Sequence, residues 1–151
     1  MIDMDRKDLA LMMECGYILV GMQRFTEARQ VFEGIAVLAP ESEIPVVALG
    51  SVAFCEGHFK EAIKRYRRAL TINAESPFAQ AYLGEALFFL GETGAAVRAL
   101  KAVAGRDAKG KAGAFAASLL EAIEQGFTPG MLSGVEDFKA YQREKGESHA
   151  S

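Results

Sequence analysis

In the stretch Leu49-Gly50-Ser51-Val52-Ala53-Phe54-Cys55-Glu56-Gly57-His58-Phe59-Lys60-Glu61-Ala62, a glycine and an alanine flank a Glu-Gly-His turn, and both recur along the chain at one interval. Gly16, Gly50 and Gly84 are spaced 34 residues apart, and so are Ala28, Ala62 and Ala96. Apolar positions keep the same frame. Cys15, Leu49 and Leu83 form one series, and Leu19, Ala53 and Leu87 a second. Phe32, Tyr66 and Leu100 form a third, and Ile35, Ala69 and Val103 a fourth. Self-similarity at a fixed period marks a chain built from stacked copies of one supersecondary unit. Small residues then sit where the two helices of a unit cross closely, and larger ones fill the space toward the next unit.

A 34-residue step is that of the tetratricopeptide repeat, a helix-turn-helix unit. The expected fold is all-α: a tetratricopeptide-repeat right-handed solenoid with three helix-turn-helix repeats (9–42, 43–76 and 77–110) and a capping helix at 111–125. Paired helices are predicted at about 6–21 with 25–38, 43–56 with 60–72, and 77–90 with 94–105. Met22-Gln23-Arg24, Glu56-Gly57-His58 and Leu90-Gly91-Glu92 read as the turns inside the pairs. Pro40, Pro45 and Pro77 fall at or near helix starts, where a missing N–H costs little. The frame is imperfect. The usually large fourth position reads Met12, Val46 and Gln80, and the closing proline appears only as Pro40.

Beyond the repeats, Phe115, Leu119, Leu120 and Ile123 share one stripe of the helix at 111–125, suited to covering the apolar end of the last repeat. Gly126 to Gly130, with Pro129, break it. A further helix is predicted at about 132–144, with Val135, Phe138 and Tyr141 on one side, either packed back on the cap or presented to a partner. Gly146 to Ser151 is expected to fray. The domain organisation expected is thus 1–126 for the repeats and cap, then 127–151 for a C-terminal helix and flexible tail.

Composition narrows the function. The chain has 151 residues, 50% of them hydrophobic, enough for a packed core in one domain. A net charge of −3 argues against nucleic-acid binding, and the cluster Lys64, Arg65, Arg67 and Arg68 reads as a solvated helix face. Cys15 and Cys55 match no metal or redox spacing, and no leader segment is legible, so a reducing cytoplasm is the expected location. Apolar runs stop short of the roughly 18 residues of a membrane span. His58 and His149 join no triad or metal pattern, and the glycines punctuate repeats rather than cradle phosphate. No catalytic, cofactor or metal residues are therefore expected.

The first helix of each pair should line the concave side of the stack. In tetratricopeptide repeats, positions 2, 5, 9, 12 and 13 of each repeat form that surface. In repeat one they are Ala10, Met13, Tyr17, Val20 and Gly21, and in repeat two Ile44, Val47, Ser51, Phe54 and Cys55. In repeat three they are Phe78, Ala81, Glu85, Phe88 and Phe89, with Tyr82 beside them. Such a face is more apolar and aromatic than ordinary exposed helix surface. Each exposed Phe would forgo roughly 1.5–3 kcal/mol of burial. The peptide-binding set expected here is Met13, Tyr17, Val20, Val47, Ser51, Phe54, Phe78, Ala81, Tyr82, Glu85, Phe88 and Phe89. Lacking Lys, Arg and Asn, it does not suit a C-terminal carboxylate. It suits an extended or helical apolar segment, with hydroxyls of Tyr17, Ser51 or Tyr82 meeting main-chain groups.

Through Gly16-Tyr17, Gln23-Arg24-Phe25-Thr26-Glu27-Ala28, Leu49-Gly50, Gly57-His58-Phe59-Lys60-Glu61-Ala62-Ile63 and Ala86-Leu87-Phe88-Phe89-Leu90-Gly91-Glu92, the chain resembles the class II (LcrH/SycD-like) tetratricopeptide chaperones of bacterial type III secretion. The resemblance covers residues 9–125. It implies a cytoplasmic bacterial protein that binds hydrophobic translocator subunits before export, holds an extended segment of them in the groove and prevents their aggregation. It implies that Tyr17, Phe54 and the aromatics of repeat three carry the contact. It also implies a homodimer, built in the family through a helix ahead of the first repeat; only Met1 to Asp8 stand there, and the C-terminal helix is the other candidate surface. A general scaffold or adaptor and a needle-subunit chaperone remain the competing readings.

Overall fold

The computed structural model describes residues 5–132 and 135–150, and every regular element in them is helical. The helices are α1 (Arg6–Gly21), α2 (Phe25–Leu38), α3 (Ile44–Cys55), α4 (Phe59–Ile72), α5 (Pro77–Leu90), α6 (Thr93–Arg106), α7 (Lys111–Glu124) and α8 (Val135–Ala150), with a 3₁₀ turn at Pro129–Met131. The repeat helices fall within a residue of the bounds expected from the 34-residue frame. The last helix starts at Val135 rather than 132. It runs on to Ala150, past the end expected at 144, so the segment from Gly146 to Ala150, expected to fray, is helical. The side chains of Val135 and of residues 146–150, and all of Ser151, lie outside the described residues.

The chain divides into two compact units, one up to Ala79 and one from Gln80 onward. In the first unit α1 packs on α2, α2 on α3, and α3 on α4. In the second, α6 packs on α7.

The glycine series explains the packing inside each pair. A Cβ at Gly16 would lie 2.3 Å from the Phe32 ring, one at Gly50 2.5 Å from the Tyr66 ring, and one at Gly84 2.8 Å from Leu100. Those neighbours are the third apolar series, so each hairpin closes by seating one large side chain over a missing Cβ. Ala28, Ala62 and Ala96 are fully buried at the matching crossing.

The turns inside the pairs are also copies of one another. Gln23, Gly57 and Gly91 all have positive φ, at 61°, 80° and 97°. In each turn, that residue and the next donate their backbone N–H groups to two carbonyls of the last helical turn. Arg24 reaches Leu19, His58 reaches Ala53 and Glu92 reaches Leu87. Gln23 alone holds this left-handed geometry with a side chain, which costs about 1–2 kcal/mol against glycine before glycine's greater entropy loss is counted. Gln23→Gly is therefore expected to stabilise the chain by about 0.5–1 kcal/mol, read as a higher urea midpoint. A lower midpoint would refute the turn geometry.

No described helix is long and apolar enough to cross a membrane.

Candidate peptide-binding face

In the first unit, the expected set separates into half-buried and core residues. Met13 and Val20 are half-buried on α1, and Phe78 is half-buried at the start of α5. Tyr17 is 47% exposed, with its ring 5.2 Å from that of Phe32. Crowding around its phenol, and after that the nearby Cys55, push its pKa from 10.0 up to about 12, so the hydroxyl stays protonated and available as a donor. Ser51 is half-buried, and its hydroxyl lies 3.2 Å from the Tyr66 hydroxyl, an engagement that competes with any ligand.

Val47 and Phe54 are core residues, and Phe54, expected on an open face, packs in tilted geometry against Phe59 of α4 with centroids 5.2 Å apart. The reason lies in α3 itself. Its sequence, IPVVALGSVAFC, is apolar on every side, and such a helix is buried all round. Repeat position alone does not leave one of its faces open.

The second unit is organised around α5. Ala81, Glu85, Phe88 and Phe89 are buried and Tyr82 is half-buried. Phe88 faces the core, its ring 5.9 Å from Phe89 and 5.7 Å from Phe127, which lies in the turn after α7. The other face of α5 is covered by α8. The Phe89 ring lies 5.9 Å from Phe138 and 5.3 Å from Tyr141, in tilted or edge-on geometry that suits aromatic quadrupoles. The Tyr141 hydroxyl donates to Glu85 Oε2, and Lys145 Nζ donates to Glu85 Oε1 at 2.9 Å. Lys145 also sits 5.2 Å from the centroid of the Tyr82 ring, which meets Phe115 of α7 edge-to-face with centroids 5.6 Å apart.

Of the residues expected on the third-repeat face, Tyr82, Glu85 and Phe89 thus come together on α5, while Ala81 and Phe88 belong to the packing beneath. Lys145 and Phe127 were not singled out from the sequence. The signal for Lys145 was present in Glu85, a lone acid in the apolar run PFAQAYLGEALFFL that must find a cation if buried.

Comparison with known proteins places the architecture. The tetratricopeptide-repeat profile matches residues 53–123. No curated protein sequence matches the chain. Among solved structures, the type III secretion translocator chaperone SycD of Yersinia enterocolitica superposes with a TM-score of 0.69 at 20% identity, covering 78% of this chain and 91% of that one. PcrH of Pseudomonas aeruginosa, in complex with the chaperone binding region of PopD, gives 0.67 at 17% identity, covering 81% and 95%. The first tetratricopeptide domain of Spaghetti (RPAP3) bound to the HSP90 peptide SRMEEVD gives 0.67 at 19% identity, covering 83% and 97%. The 34-residue frame, the paired helices and these superpositions together establish that the chain has the tetratricopeptide-repeat fold.

Proposed function

We propose that this protein is a cytoplasmic chaperone that binds an apolar segment of a type III secretion translocator, or of a related secretion substrate, and prevents its aggregation before export. The observation that carries the reading is the α5 face. Tyr82, Glu85 and Phe89 take up an aromatic-bearing helical segment, here supplied by α8 of the same chain. The face works by contact and charge pairing, and the protein needs no catalytic step for this role. SycD, whose fold this chain shares, is described as a type III secretion translocator chaperone, and PcrH, of the same fold, as bound to the chaperone binding region of PopD.

An adaptor for acidic peptides, the chemistry of the HSP90 peptide held by the Spaghetti domain, is the second reading. The residues favour the first. Met13, Tyr17 and Val20 offer no cation, and Glu85 would repel an acidic ligand.

The test is co-expression of the tagged protein with candidate translocators of its own organism, followed by co-purification. Tyr17→Ala removes the most exposed aromatic of the set and is expected to lower recovery of the translocator by about tenfold with helicity unchanged. Full recovery with that variant would remove Tyr17 from the binding face. Recovery of acidic peptides in place of translocators would favour the adaptor.

A further inference from the structure

The C-terminal helix lays a definite pattern on α5. Phe138, Tyr141 and Lys145 fall at i, i+3 and i+7, one stripe of a helix. They meet Tyr82, Glu85 and Phe89, which have the same spacing and are met in reverse order. The two stripes therefore run antiparallel, ring on ring at one end and cation on carboxylate at the other.

Glu85 sets the chemistry this face accepts. Its side chain is 0% exposed, and a carboxylate left there without a partner would be costly. A segment that covers this face must bring a donor and a cation where Tyr141 and Lys145 stand. A wholly apolar segment would strand the charge. The seat of α8 is itself imperfect. Gln142 Nε2 is buried with no hydrogen-bond partner among the described residues. A cleft of about 320 Å³, lined by Phe115, Leu119, Phe127 and Tyr141, stays open beside the helix. A buried donor left unmade weakens the seating of the helix that carries it.

We infer that α8 is a resident ligand of the third-repeat face, and that the partner segment this face takes is an amphipathic helix of the same pattern. That pattern is an aromatic residue, a second hydroxyl-bearing aromatic three residues on, and a lysine or arginine four residues further. This rests on reading the face as peptide-binding. The partner enters by displacing α8, because both require Glu85 and Phe89. Anything that loosens α8 then raises affinity for the partner, since a smaller fraction of the face is already occupied.

The probe is a fluorescent peptide with the sequence of residues 135–150, titrated by anisotropy into the full chain and into a full-chain Phe138→Ala/Lys145→Ala variant. The variant is expected to bind it on the order of tenfold more tightly than the parent. Adding Glu85→Gln to the variant, or replacing the lysine of the peptide by glutamate, is expected to abolish that gain. Far-UV circular dichroism and the thermal midpoint confirm that each chain is folded. Equal binding by parent and variant, no binding by either, or a gain that survives Glu85→Gln would overturn the inference. A competition arm separates it from the proposed function. A translocator captured by the folded variant but not displaced by the peptide sinks the inference and leaves the chaperone reading standing. Peptide binding that passes these controls while no translocator is captured does the reverse.

Discussion

Tyr66→Ala is expected to remove about 3–5 kcal/mol of stability, the range for emptying a large aromatic site in a core. Tyr66 is fully buried and its ring occupies the space over Gly50, where a Cβ would come within 2.5 Å of it. Around it, the α3 residues Leu49, Val52 and Ala53 are themselves buried in the core. The hydroxyl contributes separately, through its 3.2 Å hydrogen bond with Ser51. Tyr66→Phe keeps the ring and is expected to cost only about 1 kcal/mol. Urea unfolding of the intact chain reads both. A Tyr66→Ala cost below about 1 kcal/mol would mean that the ring is not the wedge that closes the second hairpin.

Phe88→Glu is expected to destabilise the second unit by about 4 kcal/mol or more rather than to act on binding alone. From repeat position, Phe88 was expected on an open face, where a charge would block a ligand and spare the fold. In the structure it is 3% exposed and lies against Phe89 and Phe127. The substitution removes a buried ring, worth about 3–5 kcal/mol, and places a carboxylate in the gap. That carboxylate would also stand three residues from Glu85, a like-charge spacing that disfavours the helix. Circular dichroism and urea unfolding should show lost helicity and an early transition. A variant as stable as the parent would return Phe88 to the surface.

Phe88 and Phe54 show where sequence reasoning reaches and where it stops. The hairpins are legible because their requirements are local and repeated. A residue without a Cβ must stand opposite Phe32, Tyr66 and Leu100, and a left-handed residue must end each first helix, so both recur every 34 residues. The frame also picks out Tyr82, Glu85 and Phe89 on one side of α5. It does not tell which side chains of that set are covered, and by what. Glu85 meets Tyr141 and Lys145 across separations of 56 and 60 residues, and no local pattern encodes such a pairing. The stripe of α8 is visible in the sequence, but its target is not. Phe54 is a different case: with apolar residues on all sides of α3, position in the repeat cannot distinguish a ligand face from core.

The chaperone reading is tested most directly by diluting a denatured translocator subunit into buffer with and without an equimolar amount of this protein, and following light scattering and size-exclusion elution. The expected result is suppressed scattering and a single peak containing both chains. Equal scattering in the two samples, with this protein folded and eluting alone for every translocator of its organism, would contradict it.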